Sequence, residues 1–418
     1  MKDSGVEWIG EIPEGWKLKR LSFLFEEINK KVSDKDFRPL SVTKQGILPQ
    51  VEGVAKTDNG DNRKLVQKGN FVINSRSDRK GSSGVSEYEG SVSLINIVFR
   101  AKSGVSMQYM HHLLRSYGFQ EEFYRWGHGI VADLWTTNST DASNILLPFP
   151  EIEEQSLIAD TLTSKCAEVD KVVEQTRATI EEYKKLKQAI ITEAVTKGVR
   201  GPRPMKPSGV EWIGDIPEEW CCSRVGRHYY ITLGKMLCTA PSDDSYSYEP
   251  YYCAADVHFE GISQIARKKM WFSQEEKKNL LVKKGDLLVT EGGTGGCAIA
   301  HECAVDTYIQ NSLMIVRCKE NTVETYLRYW LESLIKRSYL DYLCNKVTII
   351  HFTKEKLSKV PFPLPSLEEQ QEIATYLDTK CTEIDRIIEK KEQLIEELGS
   401  YKKSLIYEYV TGKKEVTT

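Results

Sequence analysis

Ser4-Gly-Val-Glu-Trp-Ile-Gly10 recurs without change as Ser208-Gly-Val-Glu-Trp-Ile-Gly214, and both copies run on into Ile-Pro-Glu-x-Trp, at Ile12–Trp16 and Ile216–Trp220. A second anchor lies further along each half. Aligning Pro150 with Pro365 and reading without a gap to Thr196 and Thr411 gives 20 identities in 47 positions. Chance does not produce such agreement, so the chain is two tandem halves. Each opens on the Trp motif, crosses a divergent stretch, reaches Pro-Phe-Pro (148–150, 361–363) and closes on a Glu-Glu-Gln-headed helix. The expected organisation is a body at 1–150, a helix at 151–198, a linker at 199–207, a second body at 208–363, a second helix at 364–412 and a tail at 413–418. The prolines at 202, 204 and 207 stop the first helix and mark the linker.

The closing segments carry a coiled-coil seam. Leu162, Cys166, Val169, Val173, Thr176, Ile180, Tyr183, Lys187, Ile190 and Ala194 alternate spacings of four and three. Leu377, Cys381, Ile384, Ile388, Lys391, Ile395, Leu398, Lys402, Leu405 and Tyr409 do the same in the other half. Polar residues break both seams at matching places, Thr176 with Lys391 and Lys187 with Lys402, a device that fixes register at some cost in stability. The two helices are expected to pair with each other. At 1.5 Å per residue each would be roughly 70 Å long, longer than a small domain is wide, and so a spacer.

The divergent bodies read as α/β (α+β) domains with short strands. Leu65–Ile73 matches Leu281–Val289, a glycine turn followed by a strand, and a polar or glycine-rich loop follows each, Asn74–Gly84 and Glu291–Gly296. One scaffold holding different loops suggests related tasks with different targets, because recognition residues sit on loops carried by a rigid frame.

Composition excludes several classes. In 418 residues, 40% hydrophobic and 28% charged, no apolar run is long enough to span a bilayer, and the N-terminus lacks a secretory h-region; a cytoplasmic protein is expected. The ten cysteines form no Cys-x-x-Cys pair, and Cys297, His301 and Cys303 lack a fourth metal ligand. A net charge of −3 neither supports nor excludes nucleic acid, since local patches decide phosphate binding. No Asn/Asp-Pro-Pro-aromatic tetrapeptide of an adenine methyltransferase is present, and Glu291–Gly296 lacks the Lys-Ser/Thr of a P-loop. Glu275-Glu276-Lys277, which could mimic a nuclease site, reads as a solvated helix face.

The Gly-Val-Glu-Trp-Ile-Gly-x-Ile-Pro-x-x-Trp opening, the Lys-Gly-Asp-Leu-Leu strand entry (284–288) and the Pro-Phe-Pro, Glu-Glu-Gln-x-x-Ile-Ala helix start resemble those of type I restriction-modification specificity subunits over essentially the whole chain. The resemblance implies a non-catalytic host-defence protein, with two target recognition domains each reading half of a bipartite, asymmetric site on double-stranded DNA. It implies that the spacers form an antiparallel coiled coil in a pseudo-twofold particle and dock two DNA-methylating subunits, with restriction/translocase subunits in the full complex. S-adenosylmethionine, ATP and Mg would then belong to partners, with no cofactor and no metal in this chain. Two departures stand out: Asn70 replaces the Asp found at Asp286, and the first body has a Trp-rich end, Trp126–Trp135. A fused methyltransferase or nuclease with unrecognised motifs and a coiled-coil scaffold that binds only proteins remain as alternatives.

For DNA contact the first candidates are Asn74, Ser75, Arg76, Ser77, Arg79 and Lys80, which mix phosphate-seeking cations with groups that read base edges; a surface loop without function is the competing reading. Thr43, Lys44 and Gln45 are second, and Asp256 and His258 occupy the equivalent place in the other body. Thr290, Glu291 and Thr294 lie beside glycines that allow close approach, and Lys346, Thr348 and His351 are as readily ordinary surface. For pairing and partner docking the candidates are Leu162, Val169, Val173, Ile180 and Ile190 with Leu377, Ile384, Ile388, Ile395 and Leu405.

Overall fold

The computed structural model describes the chain except residues 51–59, 130–134, 265, 267, 292–295, 304, 337–351 and 417–418, with backbone alone at 335 and 336. It divides into two compact units, Met1–Arg177 with Glu392–Thr418, and Ala178–Lys391. Among the described residues no helix is long and apolar enough to cross a membrane.

The first unit is built on an antiparallel sheet in the order Phe25–Glu27, Asn96–Ala101, Phe71–Asn74, Ser83–Val85. Phe71–Asn74 is an apolar run entered through a tight turn. Gly69 sits at φ +86, which a side chain would strain, and Asn70 Oδ1 accepts the Gln67 N–H. Strand Lys17–Arg20, following the Trp motif, pairs with Leu146–Phe149 of the Pro-Phe-Pro segment. Helices Met107–Arg115 and Tyr117–Arg125 cover the sheet, each started by a serine hydroxyl, Ser106 and Ser116, capping a backbone N–H. Ile9, Trp16, Phe71, Phe99, Leu113 and Phe123 form the core together with Leu162, Leu405 and Tyr409 from the long helices.

The second unit repeats this connection. Its sheet runs Tyr229–Leu233, Leu313–Cys318, Leu287–Thr290, Cys297–Ile299, and Gly285 at φ +91 makes the same turn, with Asp286 accepting the Lys283 N–H. The change from Asn70 to Asp286 now has a cause: Asp286 also grips Arg317 with both oxygens at 2.7 Å, whereas Arg100, at the equivalent strand position, turns to Glu26. Strand Cys221–Arg224 pairs with Pro361–Leu364. The core again takes in both long helices, through Val195 and Leu377.

The long helices, Ile152–Lys197 and Leu367–Val410, pack together. In the first unit Asp170 holds Lys402 at 2.6 Å, and in the second Asp385 holds Lys187 at 2.6 Å. Lys187 and Lys402 thus have aspartate partners on the facing helix, while Lys391 lies over the Tyr183 ring, 5.9 Å from its centre. Along the seam Leu162, Val169, Ile180, Leu377, Ile384 and Leu405 are buried, and Val173, Ile190, Ile388 and Ile395 half-buried. A fully buried leucine contributes about 1.5–3 kcal/mol.

The conserved spellings of the two halves are closures. Trp16 donates to Glu154 at 3.0 Å and Trp220 to Glu369 at 2.8 Å, joining the opening motif to the first turn of the helix. Gln155 donates to the Pro150 carbonyl and accepts the Ser106 N–H; Gln370 does the same with Pro365 and Val323. Tyr109 donates to the carbonyls of Pro148 and Val410, and Tyr326 to those of Pro363 and Val195. Each tyrosine ties the end of its body to the last turn of a long helix.

Candidate nucleic-acid interface

The loop after Phe71–Asn74 is held tightly. Asn74 Oδ1 accepts the Arg76 N–H, its backbone N–H goes to Ser82, and its carbonyl receives the Tyr124 hydroxyl at 2.7 Å. Burial pushes the Tyr124 phenol far above its ordinary range, so it remains a donor. Ser75 is buried, its hydroxyl on the Ile95 carbonyl, so it does not face an external ligand. Ser77–Arg79 form one 3-10 turn. Within it Asp78 chelates Arg76, Nε at 2.9 Å and Nη2 at 3.1 Å, and lies 3.7 Å from Arg79. Arg79 is 68% exposed and Arg76 36%, so Arg79 is the freer cation. Lys80 pairs with Glu121, and the Ser77 N–H donates to the Trp135 carbonyl. Asp78 as a competitor for Arg76 is missing from the sequence reading, although an acid two residues from an arginine was visible there.

Thr43, Lys44 and Gln45 form the tip of a hairpin, Leu40–Thr43 with Gly46–Pro49. Lys44 and Gln45 are exposed, while the Thr43 hydroxyl closes the turn onto Gly46. This tip comes beside the Asn74–Lys80 loop. A Cβ on Gly84 would lie 3.1 Å from Gly46 Cα, so glycine permits the two backbones to touch, and Lys44, Lys80 and Gly81 line one groove.

The second unit has the same juxtaposition: a Cβ on Gly296 would lie 2.8 Å from the carbonyl of Val257 in the short hairpin Val257–His258 with Gly261–Ile262. His258 is exposed on it. Asp256 is a cap, accepting from the Cys253 N–H and thiol. Thr290 is 4% exposed and its hydroxyl joins Gly296, so it is structural where a base contact was expected. Glu291 is half-buried, its backbone bonded to Ser312 and Phe352. Thr294, Lys346, Thr348 and His351 lie outside the described residues. The Glu275–Lys277 helix is less solvated than expected: Glu276 pairs with Lys235 at 2.5 Å and Lys277 with Glu249 at 2.6 Å, all four side chains only partly exposed. Among the described residues no group has metal-binding geometry and the cysteines are free thiols.

Residues 234–397 match the model of the type I restriction modification DNA specificity domain. A protein of Methanocaldococcus jannaschii assigned as the type I restriction enzyme MjaX specificity subunit is 25% identical, over 98% of this chain and 96% of its own. The type I restriction enzyme EcoBI specificity subunit of Escherichia coli is 25% identical over 66% of this chain and 60% of its own. Two solved structures share the fold. One, from work on complex assembly and conformational transition of the type I R-M system, has a TM-score of 0.73 at 18% identity, covering 97% of this chain and all of that one. The other, the HsdS subunit from Thermoanaerobacter tengcongensis, has a TM-score of 0.53 at 19% identity, covering 99% and all. Repeated closures, paired long helices and these likenesses agree: residues 234–397 carry a type I restriction modification DNA specificity domain, and the chain is similar over 98% of its length to a type I specificity subunit.

Proposed function

We propose that this chain, as the non-catalytic DNA-sequence-specificity subunit of a type I restriction-modification enzyme, reads a bipartite, asymmetric site with one half assigned to each body. The observation that carries this is one frame occurring in each unit, a strand, its loop and a hairpin packed on a glycine, holding different residues at its tips. Base readout in the first body falls to Arg79, Lys44 and Gln45, with Arg76 available once Asp78 releases it; in the second, His258 is the exposed candidate. The repeat of sequence and strand order supports bodies related as pseudo-twofold copies over antiparallel helices, so that half-sites about one helical turn apart are read as a symmetric dimer reads them. Because the loops differ, the site need not be palindromic.

The long helices are the proposed dock for two methyltransferase subunits. Exposed apolar side chains flank the seam, each one residue before a seam position, Val172, Leu394 and Tyr401 in one unit and Leu186 and Ile387 in the other. Solvent-facing apolar side chains beside an already paired seam fit a protein partner. Chemistry, with S-adenosylmethionine, ATP and Mg, belongs to those partners and to restriction/translocase subunits.

The test is exchange of residues 17–147 for those of a relative, with methylated sites mapped after co-expression with the modification subunits. One half of the methylated motif should change while the other half and the spacing persist. Change in both halves would overturn the assignment of one half-site to each body.

A further inference from the structure

A groove of about 910 Å³ in the first unit lies between the Lys44 hairpin tip, helix Met107–Arg115 and the facing stretches of the two long helices. Five cations line it, Lys44, Lys80, Arg115, Lys402 and Lys403, against two acids, Glu87 and Asp170. Lys80 is occupied by Glu121 and Lys402 by Asp170. Among the described residues no carboxylate pairs with Lys44, Arg115 or Lys403. Glu87 has turned away to Lys68.

Arg115 is half-buried, and a guanidinium out of water without a counter-charge is costly. One nitrogen donates to the Lys44 carbonyl at 2.7 Å, which fixes the hairpin tip. Another donates to His111 Nε2 at 3.1 Å, and since arginine only donates, His111 must accept with a neutral ring. Neither partner carries negative charge. His112 meets Thr163 of the long helix at 3.2 Å, so the same short helix links hairpin to spacer. Both histidines are pushed down to about 4, by burial first and then by the charge of Arg115, joined at His112 by Lys402. The groove is therefore positive already, and its histidines add nothing to that charge at neutral pH.

We propose that this groove seats a backbone phosphate of bound DNA, held by Arg115 with Lys44 and Lys403, and so fixes the recognition hairpin and the spacer helices on the same strand of duplex. The proposal rests on the reading that the first body contacts DNA. Three of the five guanidinium N–H groups remain for the phosphate, and the planar fork suits two of its oxygens. Because this contact is to the backbone, it contributes affinity and register without sequence preference.

The test measures binding of a 30-base-pair duplex of arbitrary sequence by the full-length chain, alone and with its modification subunits, across a salt series. Arg115→Gln, Lys44→Ala and Lys403→Ala are each expected to flatten the dependence of log K on log salt by about one unit, and Arg115→Lys to restore much of it. Lys44 and Lys403 are exposed, so their variants keep the fold even if Arg115→Gln loosens the hairpin. A wild-type chain with a steep salt slope that Lys44→Ala and Lys403→Ala leave unchanged overturns this site while the DNA reading stands. A wild-type chain that binds no duplex, alone or assembled, defeats the DNA reading itself. Unchanged salt slopes with lost assembly would mean that the groove takes an acidic protein segment, which also refutes the proposal.

Discussion

Replacing Glu369 by alanine should damage the second unit far more than the equivalent Glu154→Ala damages the first. Glu369 is 2% exposed and accepts two donors, the Trp220 indole and Arg203, whose own side chain is 11% exposed. The guanidinium lies 5.1 Å from the Trp220 ring and has a second, exposed partner in Glu219. Removing the carboxylate leaves a buried charge with only a surface acid, and a buried indole N–H with none. Breaking a buried pair costs about 3–5 kcal/mol. Glu154 is exposed and meets the Trp16 indole alone among the described residues, so its loss is worth about 0.5–1.5 kcal/mol. At roughly 2–4 °C per kcal/mol for a unit of this size, Glu369→Ala should lower the second unit's transition by roughly 6–20 °C and Glu154→Ala the first unit's by roughly 1–6 °C. Glu369→Gln keeps an acceptor for the indole and should fall between. Calorimetry of the full chain, its transitions resolved by unit, decides. Equal shifts for the two alanine variants, or a Glu369→Ala chain within about 1 kcal/mol of the parent, would refute the reasoning.

Ile180→Asp and Ile395→Asp place a charge in the helical seam, at a buried and a half-buried position. Size-exclusion chromatography should show lost assembly with the modification subunits, with Ile180→Asp the more severe; normal assembly of both would contradict the seam assignment. Acid sensitivity is the other expectation. An unfolded histidine titrates near 6.5 and His111 and His112 near 4, so between those values the native state binds fewer protons than the unfolded one. Stability of the first unit is thus full above pH 6.5 and falls as the pH drops towards 4. Urea midpoints at pH 7 and pH 4.5 should lie closer together in a His111→Gln, His112→Gln variant than in the parent; an equal gap would count against neutral burial.

Architecture was legible wherever the two halves spell the same thing. Trp16 and Trp220, Gln155 and Gln370, and the Pro-Phe-Pro segments repeat because each closes a body onto a helix, a geometric demand that neither half escapes. The seam was legible because its period is that of the helix. The aspartates that hold its lysines were not, since which facing residue meets Lys187 or Lys402 depends on helix direction and register. Site residues were harder for another reason. Ser75 and Thr290 have the right chemistry in the right loops, yet both hydroxyls are spent on backbone carbonyls, of Ile95 and of Gly296, and burial of a single side chain in a turn leaves no periodic trace. Arg115 shows the converse. It sits on an ordinary amphipathic helix, and only the fold brings it to the Lys44 carbonyl.

Tyr109 waits for Val410. Its hydroxyl and the core around Leu162 are completed by Leu405 and Tyr409, which the ribosome delivers after every residue of the second unit. Order of synthesis and order of closure are therefore inverted. The amino-terminal body, first to emerge, must hold its apolar face unsealed while its neighbour is made and folds, and only the last helical turns finish it. Until then that unsealed face is open to chaperones and proteases.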